Sequence, residues 1–73
     1  MAESTLTVPE MSCEACRTTV AGALQTLPGV VAVSVDLDRK LVSVEHDEGL
    51  APADALVTAV EDQGYEVVAR AVA

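Results

Sequence analysis

Tryptophan and phenylalanine are absent from this 73-residue chain, and a single tyrosine, Tyr65, is its whole aromatic content. The core must therefore be aliphatic, built from Val, Leu and Ala. A chain of this length buries only about 60% of the surface it exposes when unfolded. Such an interior holds no deep pocket for an organic cofactor or a large substrate, which argues against an enzyme. Basic residues are also scarce, at 4 against 12 acidic ones, for a formal charge of −8. Binding to nucleic acid requires clustered Lys and Arg to displace counterions from phosphates, and no such cluster exists here. The same deficit excludes an anionic membrane surface as partner. No apolar run approaches the roughly 18 residues of a membrane span. The opening Met1-Ala2-Glu3-Ser4-Thr5 lacks the basic and apolar regions of a secretory signal, so a cytosolic location is expected.

Two cysteines, Cys13 and Cys16, stand three residues apart. In a reducing compartment such a pair is read as metal ligands or a redox centre before a structural disulfide. Periodicity places them. Leu6 and Val8 alternate with Thr5 and Thr7 as a half-buried strand ending at Pro9, and Glu10 to Cys13 is a loop. From Glu14, residues Cys16, Val20, Ala23, Leu24 and Leu27 recur on one helical face until Pro28-Gly29 stops the helix. Val31, Val33, Val35 and Leu37 share one face of a second strand. A turn at Asp38-Arg39-Lys40 leads to a third strand over Leu41 to Glu45. His46 to Gly49 reads as a solvated polar loop. Pro52 opens a second helix carrying Leu56, Ala59, Val60 and Gln63, which ends at Gly64. Glu66 to Arg70 is a last strand, with Ala71-Val72-Ala73 frayed.

This β-α-β-β-α-β order predicts one α+β domain over residues 1–73, a four-stranded antiparallel sheet with two helices on one face. Such a topology gathers the Pro9–Cys13 loop, the Asp38–Lys40 turn and the Gly64-Tyr65 loop at one end of the sheet. Cys13, Cys16, Tyr65, Arg39 and Lys40 then share a neighbourhood, and His46 lies at the opposite end. Cys13 in the loop and Cys16 in the first helical turn can aim both sulfurs at one point. There the unpaired N–H groups and the helix dipole favour thiolate, helped by Arg17 if its side chain turns back. Two soft thiolates with no further ligand suit a d¹⁰ ion that accepts two-coordinate geometry: Cu(I), and equally Ag(I) or Hg(II). Zn(II) prefers four ligands, and the sequence offers no second CxxC.

The Met11-Ser12-Cys13-Glu14-Ala15-Cys16 segment after a first strand resembles the signature of the heavy-metal-associated domain family, and the resemblance extends from Leu6 to Arg70. It implies a ferredoxin-like fold and metal held by Cys13 and Cys16. It also implies Met11 buried beneath the loop, and transfer of the ion to a similar domain through shared thiolates. The expected partner is a copper-transporting P-type ATPase or its metal-binding domain. Tyr65 matches the residue that bacterial copper chaperones of this family carry after the second helix, where eukaryotic ones have Lys and ATPase domains often Phe. One position departs from the pattern: Glu10 stands where the family usually has Gly. A carboxylate there should raise the thiolate pKa and offers a third, oxygen ligand that would widen selectivity towards Zn(II) or Cd(II).

The resulting expectation is a cytosolic Cu(I) chaperone, monomeric without metal and able to dimerise around a shared ion. Three alternatives stay open: the metal-binding domain of a P-type ATPase, a Zn/Cd/Hg carrier of the same fold, and a thiol oxidoreductase.

Overall fold

The structure, a computed structural model, describes residues 2–72. Its elements are β1 (Ala2–Thr7), α1 (Glu14–Gln25), β2 (Val30–Asp36), β3 (Leu41–His46), α2 (Ala53–Asp62) and β4 (Ala69–Val72). The strands lie in the order β2-β3-β1-β4, every neighbouring pair antiparallel. Alternation fixes which face is covered: Ser4, Leu6 and Val8 run down the buried side of β1 and its extension, and Val42, Val44 and His46 down that of β3. Val20 and Leu24 of α1 and Leu56 and Val60 of α2 join that same cluster, so both helices pack on one face. The α+β sandwich read from the sequence is the fold observed.

Five local expectations need correction. β1 begins at Ala2, and β3 runs on to His46, so the strand read as ending at Glu45 is one residue longer. In β2 the register shifts between Val30 and Ala32, a bulge that turns Val31 outward, 59% exposed, while Val30 packs on the core in its place. The last strand lies further along the chain than Glu66–Arg70. Its first tie to β1 is the Val68 N–H donated to Thr7 O at 3.0 Å, and Ala71 and Val72 pair with Thr5 and Ser4 instead of fraying. Ala73 lies outside the described residues. Pro52 is the residue capping α2 and not part of its first turn.

His46 is the largest departure. Expected in a solvated loop, it is fully buried at the end of β3. Its Nδ1 lies 2.6 Å from Ala51 O, which can only accept, so the proton sits on Nδ1. In the neutral ring Nε2 then accepts from the Ser4 hydroxyl at 2.7 Å. Every polar atom of the pair is satisfied, which is what makes their burial tolerable. Nearby, Gly29 has φ +93°, and a Cβ there would meet Leu50 Cβ at 2.6 Å. The chain passes this corner only without a side chain. Register confirms the expected placement of His46: it pairs across β1 with Ala2, whereas Thr7, leading into the cysteine loop, pairs with Leu41.

Candidate metal centre

At the Thr7–Leu41 end, three chain segments meet. The Val8 N–H donates to Lys40 O at 2.9 Å, tying the β2–β3 turn against the end of β1. Met11 folds beneath the loop, fully buried, and becomes part of the aliphatic core. Its flexible thioether fills the space under the cysteines, and burying it fixes the loop without spending a ligand.

Above it, Cys13 caps α1. Its backbone is extended (φ −143°, ψ 164°), and its sulfur accepts the Cys16 N–H at 3.2 Å. Ser, Thr, Asp or Asn usually hold this position, because their oxygen satisfies an orphan helix N–H. Here a sulfur does so, and the helix start itself aims Cys13 at Cys16. The two sulfurs are 2.7 Å apart, and both cysteines are free. Cys13 is exposed and Cys16 half-buried.

The proton shared between them has a preferred owner. Hydrogen bonding with Cys13 lowers the Cys16 thiol from its ordinary 9.0 to about 7, with smaller contributions from the Tyr65 phenol and the backbone of Ser12. Tyr65, half-buried in the loop after α2, is pushed the other way. Its hydrogen bond to Cys16 comes first, then burial and the negative charge of Cys16, Cys13 and Glu10. The phenol therefore stays protonated where the thiol begins to ionise. The site is a sulfur pair in which Cys16 ionises near neutral pH and Cys13 is the more exposed of the two.

Several expected neighbours do something else. The Arg17 guanidinium is paired with Glu14 and does not turn back to the sulfurs. Arg39 is exposed and faces Asp36 at 3.8 Å. Glu10 was expected to raise the thiolate pKa, yet Cys16 is lowered and Glu10 is not among the causes. Its carboxylate instead accepts the Glu66 N–H at 2.9 Å. Among the described residues no three His, Cys, Asp or Glu side chains come together as a ligand set, neither around Cys13 and Cys16 nor around His46. Sequence reasoning missed the Glu10–Glu66 contact. It joins residues 56 apart, and no local pattern announces it.

Comparison with known proteins agrees with this arrangement. The sequence profile of the heavy-metal-associated domain matches residues 5–66. The copper chaperone CopZ of Staphylococcus haemolyticus is 42% identical over 67 residues, covering 92% of this chain and 98% of that protein. Among solved structures, a CopZ metallochaperone superposes with a TM-score of 0.88 at 38% identity, covering 90% of this chain and 98% of the other. A copper-binding domain from HMA7, a P-type ATPase, gives 0.88 at 30% identity, with 96% and 97% covered. The chain belongs to the heavy-metal-associated domain family.

Proposed function

We propose that this protein is a copper carrier that holds Cu(I) between the thiolates of Cys13 and Cys16 and passes it on by ligand exchange, without catalytic chemistry of its own. The observation that carries the reading is the convergence of two free sulfurs on one exposed point, with one of them ionising near neutral pH. Two thiolates without a third ligand match a d¹⁰ ion of low coordination number and leave Zn(II) under-coordinated. Likeness to CopZ chaperones supports copper over the other soft ions.

Transfer follows from the low coordination. A thiolate of the acceptor forms a bond to the bound Cu(I), giving a three-coordinate bridge. One Cu–S bond to this chain then breaks, and the released thiolate takes up a proton or the next ion. No electron changes hands. Cys13, exposed and outside the helix, is placed to leave or be joined first, whereas Cys16 is half-buried and anchored in α1. The acceptor we infer is a domain of similar fold on a P-type ATPase, in keeping with the likeness to such a domain. The thiols must remain reduced, which suits the cytosol. A second metal-loaded copy presenting its own pair would give a dimer bridged by four thiolates.

The test is an anaerobic Cu(I) titration against a competing chelator, with Zn(II) run in parallel. One Cu(I) per chain, held far more tightly than Zn(II), is expected. Zn(II) binding of equal strength would shift the assignment to a divalent-metal carrier. Rapid insulin reduction with weak binding of both ions would shift it to a thiol oxidoreductase.

A further inference from the structure

We propose that Glu10 is a positioning residue of the metal site: its carboxylate clasps the loop that carries Tyr65 and so holds that residue beside the cysteine loop. The inference deepens the copper-carrier reading and rests on it for its metal-release arm only.

The clasp crosses from one site loop to the other. Glu10 precedes the buried Met11, so its own backbone is fixed by the core beneath it. From there Oε1 accepts the Glu66 N–H at 2.9 Å. Glu66 follows Tyr65 directly, and the peptide unit joining them is planar and rigid. Holding the Glu66 amide therefore holds the Tyr65 carbonyl, and leaves the tyrosine little freedom beyond φ and its ring torsions. The loop needs such an anchor. Upstream its backbone is tied by the Gly64 N–H to Glu61 O at 2.9 Å, and downstream by the Val68 N–H to Thr7 O at 3.0 Å. Gly64, with φ +90°, has open space on its side-chain face, so packing does not restrain that hinge. Between those ties, Glu10 supplies the hold. A carboxylate accepting a backbone N–H is a charge-assisted bond, stronger than a neutral one.

In this protein the same three-residue approach to Cys13 carries both the tether, Met11, and the clasp, Glu10. Glu10 thus touches neither sulfur nor ion. It acts through Tyr65, restraining a residue that packs on the same core cluster as Cys16. Its negative charge also disfavours ionisation of the Tyr65 phenol, in the same sense as the thiolates.

Tyr65 is the sole aromatic residue, so its fluorescence reports on this contact alone. The experiment compares wild type, Glu10→Ala and Glu10→Gln, all reduced and metal-free, by acrylamide quenching of Tyr65 and by amide exchange at Glu66. It then follows Cu(I) release to a chelator from the loaded proteins. Glu10→Ala is expected to expose the ring, to speed Glu66 exchange, and to accelerate release about fivefold, the equivalent of one lost hydrogen bond. Glu10→Gln keeps an acceptor oxygen and is expected to restore all three. Unchanged quenching and exchange in the Ala variant would overturn the proposal. So would a Gln variant that behaves like Ala, since charge and not the clasp would then be acting. Thermal melts confirm that each variant is folded, as expected for an exposed side chain. Failure of the wild type to bind Cu(I) would sink the carrier reading while leaving the two metal-free measurements to decide the clasp.

Discussion

The two ends of the sheet handle polar atoms in opposite ways. At the far end, His46 and Ser4 are fully buried, and each ring nitrogen has a partner. At the near end, Cys13 and Cys16 sit at the surface and share a proton between themselves. The first arrangement closes a structure, because a buried polar group is tolerable only when satisfied. The second leaves bonding capacity unspent, because a ligand that is already satisfied cannot be offered to an ion. In a domain this small, stability and function are kept apart by the length of a strand.

Substitutions at each end should separate these roles. The largest effect expected is at the cysteines: Cys13→Ser with Cys16→Ser should abolish stoichiometric Cu(I) binding in the chelator competition. The same pair of changes should move the unfolding free energy by no more than about 0.5 kcal/mol, since serine is itself a good helix cap at position 13. Urea melts of the reduced proteins would check this. A large loss of stability would break the comparison.

The converse holds for His46→Ala. It leaves the Ser4 hydroxyl and Ala51 carbonyl buried without partners and opens a cavity, at a cost of roughly 2–4 kcal/mol. That corresponds to a melting temperature lower by about 10–20 °C in a domain of this size. Cu(I) affinity of the folded fraction should match wild type.

A smaller effect lies in pH. The folded-state pKa of Cys16 is depressed from 9.0 to about 7, chiefly by hydrogen bonding with Cys13. A group depressed in this sense adds stability that is fully present above its unfolded value and is lost as pH falls through its folded one. Reduced, metal-free protein should thus gain stability as pH rises from 7 to 9 and change no further from this source above 9. Alkylation of Cys16 by iodoacetamide should reach half its limiting rate near pH 7 in the folded chain, and two units higher in urea. Coincident profiles would show that the near end does not activate its thiols.

The near end was readable because its chemistry is attached to residue type and short spacing. Cys13 and Cys16 three apart, Met11 before them, and a strand-to-helix switch at Glu14 state the site without knowledge of the rest. The far end was misread, although its signal was present. Ser4 and His46 continue the period-two series of Leu6 and Val8 and of Val42 and Val44, but a polar side chain in such a series reads as the end of a strand. Burial of a polar residue depends on a partner, and these partners are 42 residues apart in the chain. Tertiary pairing also hid the start of β4. The Glu66 amide is taken by Glu10, so the strand cannot begin where its apolar alternation does. The bulge at Val31 breaks an alternation that otherwise reads as continuous from Val31 to Leu37.

That bulge bears on what happens when many copies are present. β2 is an outer strand of the sheet, with one row of backbone donors and acceptors facing away from β3. Its stretch Val30-Val31-Ala32-Val33-Ser34-Val35 is β-prone and carries no charge, proline or glycine, the composition of segments that stack into fibrils. The extra residue bends and twists the strand just where it would otherwise lie flat, so a second molecule finds no straight ladder to extend. The irregularity thus blunts the stretch of edge that would offer a second copy its most continuous template.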